Sequence, residues 1–379
     1  MKKILFIFIF LITIGSISFA TDADLIESQK DSLGISAFIK EGQKYTKEAF
    51  PDMDMNELLN STLKGEINNG EVFKGIFSLL GKEVKNALKL VGTILVIIVI
   101  HSIFKNISEN LENKSVSRIT YYVQYILIVT IIMTNFSEVI TMVKESIDNL
   151  VGFMYTLTPI LMTLMVTTGS IVSSNVVQPI LLFAISFIGN MISLIILPLL
   201  LVGTALGIIS NISEKVQIDR LAKYFKSSIV WFLGIALTIF IGLLSIEGTL
   251  SASVDGLTAK TTKAAVSNFI PVVGKILGDA VDTVIGCASL IKNAVGIVGI
   301  IIIIGICILP IIKLTIITLT YYLLSAVCEP IADGNIIKLL DQVGGTFKIL
   351  LAILFSVSVM LIVGVTIVIK ISNSGLMYR

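Results

Sequence analysis

A chain of 379 residues that is 55% hydrophobic and only 14% charged, with a mean hydropathy of +0.96, falls outside the soluble globular class and belongs among polytopic membrane proteins. The formal charge of +2 is too small over this length to favour nucleic acid, and no basic cluster with interleaved aromatics occurs. Cys287, Cys307 and Cys328 all lie in apolar helical context and read as small buried side chains rather than disulfide or metal sites.

Residues 1–20 open with Lys2 and Lys3, continue as an apolar run and end on Ser18-Phe19-Ala20, the small-residue pattern of a signal peptide. The chain from Thr21 onward is therefore expected to start outside the cytoplasm. Residues 21–86 form an extracytoplasmic polar and amphipathic helical region, too small to bury a core and expected to pack on a partner or on the membrane. From Glu71 apolar residues recur at three and four, so an amphipathic helix leads into the first span at 88–104. A second span at 119–142 completes a two-helix unit over 87–142. Lys105, Lys114 and Arg118 between the two spans suit the cytoplasm, and residues 143–150, with Lys144 against Glu145 and Asp148, suit a return loop outside.

Residues 151–175 end in an uncharged turn around Gly169 and Ser170. A full crossing here would put the basic 211–228 loop outside, against the charge rule, so 151–175 is expected to be re-entrant or interfacial, with Gly169, Ser170 and Pro179 as its turn. The apolar run 176–209 is interrupted by Pro179, Gly189 and Pro198, and Trp231 marks an interface at the start of the span 229–246. Residues 294–324 form a span broken at Pro310, a polar turn comes next at 328–335, and the last span is 347–370 before a tail at 371–379. The expectation is an all-α polytopic protein with about six to eight transmembrane helices, six of them full crossings, plus re-entrant or amphipathic elements.

The spacing from Pro159 to Pro198 equals that from Pro271 to Pro310, and Ile196-Leu197-Pro198-Leu199 matches Ile308-Leu309-Pro310-Ile311. These units, 151–247 and 264–370, read as parallel internal repeats. Residues 269–293 place Lys275, Asp279, Asp282, Gly286, Ser289 and Asn293 within about 40° of one helical line, with Val273, Leu277, Ala280, Val284 and Ile291 opposite. Two readings are open: a helix lying in the membrane interface, or one whose stripe lines a polar path.

No chemistry-bearing constellation competes with these. His101 has no second histidine or cysteine with which to hold a metal, and is an interfacial residue or a proton-relay member. There is no phosphate-binding glycine loop and no activated nucleophile, so neither an enzyme nor a cofactor is expected.

Three stretches, TPILMTLMVTTGSIVSSNVVQP (158–179), IPVVGKILGDAVDTVIGCASLIKNAVG (270–296) and CEPIADGNIIKLLDQVGGTFK (328–348), resemble the signature segments of the stage III sporulation protein AE family of endospore-forming Firmicutes. The likeness runs over nearly the whole chain. At Gly334-Asn335 the sequence departs from the basic residues expected after Asp333, which bears on a charge contact of that loop. The resemblance implies a mother-cell protein of the outer forespore membrane. It implies partners among the other membrane proteins of its operon and on the forespore side, in a channel or secretion-like apparatus that sustains forespore development; a homo-oligomer is also compatible. The residues themselves leave three functions open: a channel subunit, a secondary transporter with Lys275, Asp279 and Asp282 as its site, and an assembly scaffold. A carrier would place ionisable residues near the bilayer midplane, whereas the stripe falls outside or at an interface, which favours the channel.

Overall fold

The computed structural model describes residues 34–377, apart from 48, 51–53, 65–68, 111–113, 213–217 and 270–272; at 69–79, 262–282 and some further positions it describes the backbone alone. The expected signal peptide and His101 side chain lie outside the described residues. Among the described residues the chain is helical, with no strand. Two short helices, α1 (Ile35–Thr46) and α2 (Met55–Lys64), precede α3 (Asn69–Asn110), α4 (Lys114–Thr167) and α5 (Ile171–Met191). A π-helical turn, Ile192–Ile196, joins α5 to α6 (Leu197–Ile212), and α7 (Asp219–Phe269), α8 (Val273–Cys328) and α9 (Gly334–Met377) complete the bundle.

Helices of 54 and 56 residues are about 80 Å long at 1.5 Å per residue, over twice the thickness of a hydrocarbon core. Five helical stretches among the described residues are long and apolar enough to cross a membrane: Tyr121–Thr167, Ile171–Asn211, Asp219–Thr258, Thr283–Cys328 and Gly334–Asn373. The remaining expected span, 88–104, lies within α3. α5, the π turn and α6 follow one another without a break, and the α4–α5 and α8–α9 pairs are antiparallel, as Ser174 to Met162, Asn373 to Lys292 and Ser358 to Cys307 show. α8 and α9 form the centre, where Phe347 stacks on Tyr321 (5.3 Å between centroids) and meets Phe136 of α4 edge-on (5.8 Å).

Several expectations at element boundaries are corrected. The return loop expected at 143–150 is helix. Val143, Ile147, Leu150, Phe153, Met154 and Leu157 are all buried, so the three-and-four spacing runs unbroken through the charged residues, and Lys144, Glu145 and Asp148 merely occupy the exposed face. The second span and 151–167 are therefore one helix, and the turn at 168–170 is the tip of an α4–α5 hairpin. Pro310 does not break α8. Pro198 is accommodated differently: with no N–H to offer the carbonyl one turn back, the helix widens into the π turn just before it.

The N-terminal polar region packs on the chain's own bundle. α1 buries Ile35, Phe38, Ile39, Gly42 and Thr46. Phe38 and Tyr45 contact Phe153 of α4, and Glu41 Oε2 accepts a 2.9 Å hydrogen bond from Thr156. On α8, a Cβ at Gly305 would meet Thr46 and Phe50, and on α1 one at Gly42 would collide with Ile302 of α8.

Candidate functional site

Two layers of buried and half-buried polar side chains join the long helices, one near each end of an apolar band. The first forms around the α4–α5 tip. α4 closes with backbone bonds from Gly169 to Val166 and from Ser170 to Met165, both 2.9 Å, and Gly169 takes φ 82, a conformation that disfavours a Cβ. The free N–H groups at the start of α5 are then capped from α7: Asp255, 4% exposed, accepts from Val172 at 2.8 Å and Ser173 at 3.0 Å. A carboxylate at a helix N-terminus meets both oriented donors and the positive end of the dipole. Ser372 of α9 bonds Thr168 (2.8 Å) and Ser170 (3.2 Å). One residue on, Asn373 accepts a 2.8 Å bond from the fully buried Lys292 of α8 and donates to Asn293 at 3.3 Å. Polar groups at the α4–α5 tip and on α7, α8 and α9 thus meet in one layer.

The second layer ties α6, α7 and α9. Lys226 donates to Thr346 Oγ1 (2.7 Å) and to the Gln342 carbonyl (3.3 Å), whose usual in-helix role is shared with the Thr346 hydroxyl. Thr204 bonds Thr346, and Asn211 donates to Gln342 Oε1 at 2.6 Å. The Tyr125 hydroxyl reaches the Ile208 carbonyl at 2.7 Å.

From Thr346 to Ser372 is about 39 Å along α9. Between the layers lie three uncharged runs, 227–246 in α7, 293–312 in α8 and 349–369 in α9, each about 30 Å long and matched to the hydrocarbon core. Side-chain contacts put them in register. Gly248 abuts Ile371 and Gly296 abuts Ile369, both so closely that a Cβ would clash. Trp231 and Tyr224, 71% and 66% exposed, stand at the Lys226 edge of the band, where amphipathic rings favour a headgroup layer.

Of the site residues expected from sequence, Gly169 and Ser170 join the first layer, while Pro179 lies on the exposed face of α5, away from it. In the stripe, Asn293 bonds Asn373, Ser289 is half-buried, and Lys275, Asp279 and Asp282 lie on the first turns of α8, their side chains outside the described residues. Val284, assigned to the apolar face, is exposed, whereas Ile291 is buried. Sequence reasoning missed Asp255, Lys292 and Lys226. Lys292 and Lys226 did carry a signal, since each borders an uncharged run of bilayer length; Asp255, among Ser, Ala and Gly, carried none.

Residues 53–372 match the family model described as stage III sporulation protein AE. A curated relative, the stage III sporulation protein AE of Bacillus subtilis (strain 168), is 32% identical over 309 residues, 82% of this chain and 77% of the relative. No solved structure matches.

Proposed function

Because the chain belongs to the stage III sporulation protein AE family, we propose that it is a channel or secretion-apparatus subunit that connects mother cell and forespore and is required for forespore development. The observation that carries this reading is the line of polar residues descending α8. It starts at the Lys275, Asp279 and Asp282 positions, continues through half-buried Ser289 and ends in the Lys292–Asn373–Asn293 group at the margin of the uncharged band. A polar line that leads into buried, mutually bonded groups suits a path entering the bundle better than a helix floating on headgroups. A carrier built on Lys275, Asp279 and Asp282 would need them near the bilayer midplane, whereas they precede the uncharged run 293–312 of α8.

In this reading Lys215, Arg220, Lys223 and Lys226 face the mother-cell cytoplasm under the positive-inside rule. The α4–α5 and α7–α8 ends then face the space between the two forespore membranes, toward partner proteins of the same operon and of the forespore. Single cysteines at 275, 279, 282, 289 and 293, placed in a Cys-free chain and probed in sporulating cells with a membrane-impermeant thiol reagent, test it. Labelling on that face that partner proteins block supports a shared lumen or interface. Equal labelling with and without partners refutes it.

A further inference from the structure

We propose that the outward face of α1 lines an aqueous path at the middle of the bilayer. This deepens the channel reading and rests on it for the source of the water. α1 lies across the bundle near a single level: Phe38, Glu41 and Tyr45 touch 152–156 on α4, and Gly42 and Thr46 touch Ile302 and Gly305 on α8. The uncharged run of α8 is 293–312, so Gly42 against Ile302 sits at its midpoint, about 15 Å from either edge. At that level the exposed residues are Ser36, Ala37, Lys40, Gln43 and Lys44 of α1, with Lys47 just past its end.

A lysine stem reaches roughly 6 Å, too short to snorkel from mid-band to a headgroup layer. Lipid tails therefore cannot cover this face without stranding three ammonium groups in hydrocarbon. The polar face also continues onto the bundle. Tyr45 and Ala49 share a cleft of about 130 Å³ with Glu145, Ser146 and Asn149 of α4 and with Gly305, Ile306, Leu309 and Pro310 of α8. On α7 near the same level an apolar side chain faces outward, Ile239, 56% exposed. Glu41 is engaged by Thr156 and Glu145 stands in the cleft, so the lining carries both signs of charge and suits hydrated polar solutes.

The test uses the full chain in liposomes, with Cys287, Cys307 and Cys328 replaced by alanine and a spin label attached at Lys40→Cys, Lys44→Cys, Ile239→Cys or Leu243→Cys. Each label is challenged with oxygen, which partitions into lipid, and with a water-soluble nickel chelate. The expected result is a chelate-to-oxygen ratio about tenfold higher at 40 and 44 than at 239 and 243. Oxygen preference at 40 and 44, or exclusion of both agents there, overturns the proposal. Chelate access at 243 as well would place α1 at the bilayer edge and also overturn it. Chelate access at 40 and 44 in liposomes that retain a small polar dye would keep the lining and refute the channel reading instead.

Discussion

Replacing Asp255 by alanine removes both acceptors that hold the start of α5. The Ser173 N–H is buried and loses a 3.0 Å charge-assisted bond; an unsatisfied buried donor costs about 1–3 kcal/mol. The Val172 N–H loses a 2.8 Å bond but is half-buried and regains water in part, so its share is nearer the ordinary N-cap value of about 1 kcal/mol. The sum is a loss of about 2–4 kcal/mol. Asparagine keeps one acceptor oxygen and turns an amide N–H₂ toward the second donor, so Asp255→Asn should lose about half as much. Reversible unfolding in bicelles, tracked by steric trapping, measures both variants against the parent chain. A loss under about 0.5 kcal/mol for alanine, the range of inert surface changes, would refute the capping argument. Asparagine equal to aspartate would refute the contribution of charge.

At Gly169, φ 82 predicts that Gly169→Val costs about 1–2 kcal/mol through backbone strain alone, seen in the same unfolding assay, with Gly169→Asn milder. Gly207 lies against the Gln342 amide, where a Cβ would collide. Gly207→Leu should therefore expel Gln342 from its bond to Asn211 and cost about 1–3 kcal/mol, while Asn211→Ala on top of it should add little in a double-mutant cycle. Lys292→Met exchanges a fully buried cation for an apolar chain of similar length. Its stability should hold or rise, whereas spore yield should fall if the Lys292–Asn373 pair serves the path; full yield would confine Lys292 to packing. Asp279→Ala with Asp282→Ala should lower spore yield with membrane insertion intact, and normal sporulation would remove the stripe from the function.

The α4–α5 hairpin shows how far sequence reasoning reaches. The turn at Gly169 and Ser170 was legible because an uncharged Gly-Ser stretch between apolar runs has few other uses. The helix that feeds it was cut at 143–150 because Lys144, Glu145 and Asp148 raise local polarity, and an averaged hydropathy cannot tell charges on one face from charges all round. Val143, Ser146, Ile147 and Leu150, spaced for a buried face, held the correct answer. Asp255 was invisible for a different reason: its partners, Val172 and Ser173, are more than 80 positions away and are backbone groups without a side-chain signature.

What the sequence by itself determined is the helical membrane class, the uncharged runs of bilayer length and the turns at Gly169-Ser170 and within 328–335, since hydropathy, periodicity and turn chemistry act over a few residues. Only the tertiary structure decided that these runs lie in register, that Asp255 and Lys292 are buried while half-buried Lys226 turns to Thr346, and that α1 lies against Ile302 at the middle of the band. Burial and hydrogen bonding depend on which helix supplies the neighbour, and local pattern does not encode that pairing.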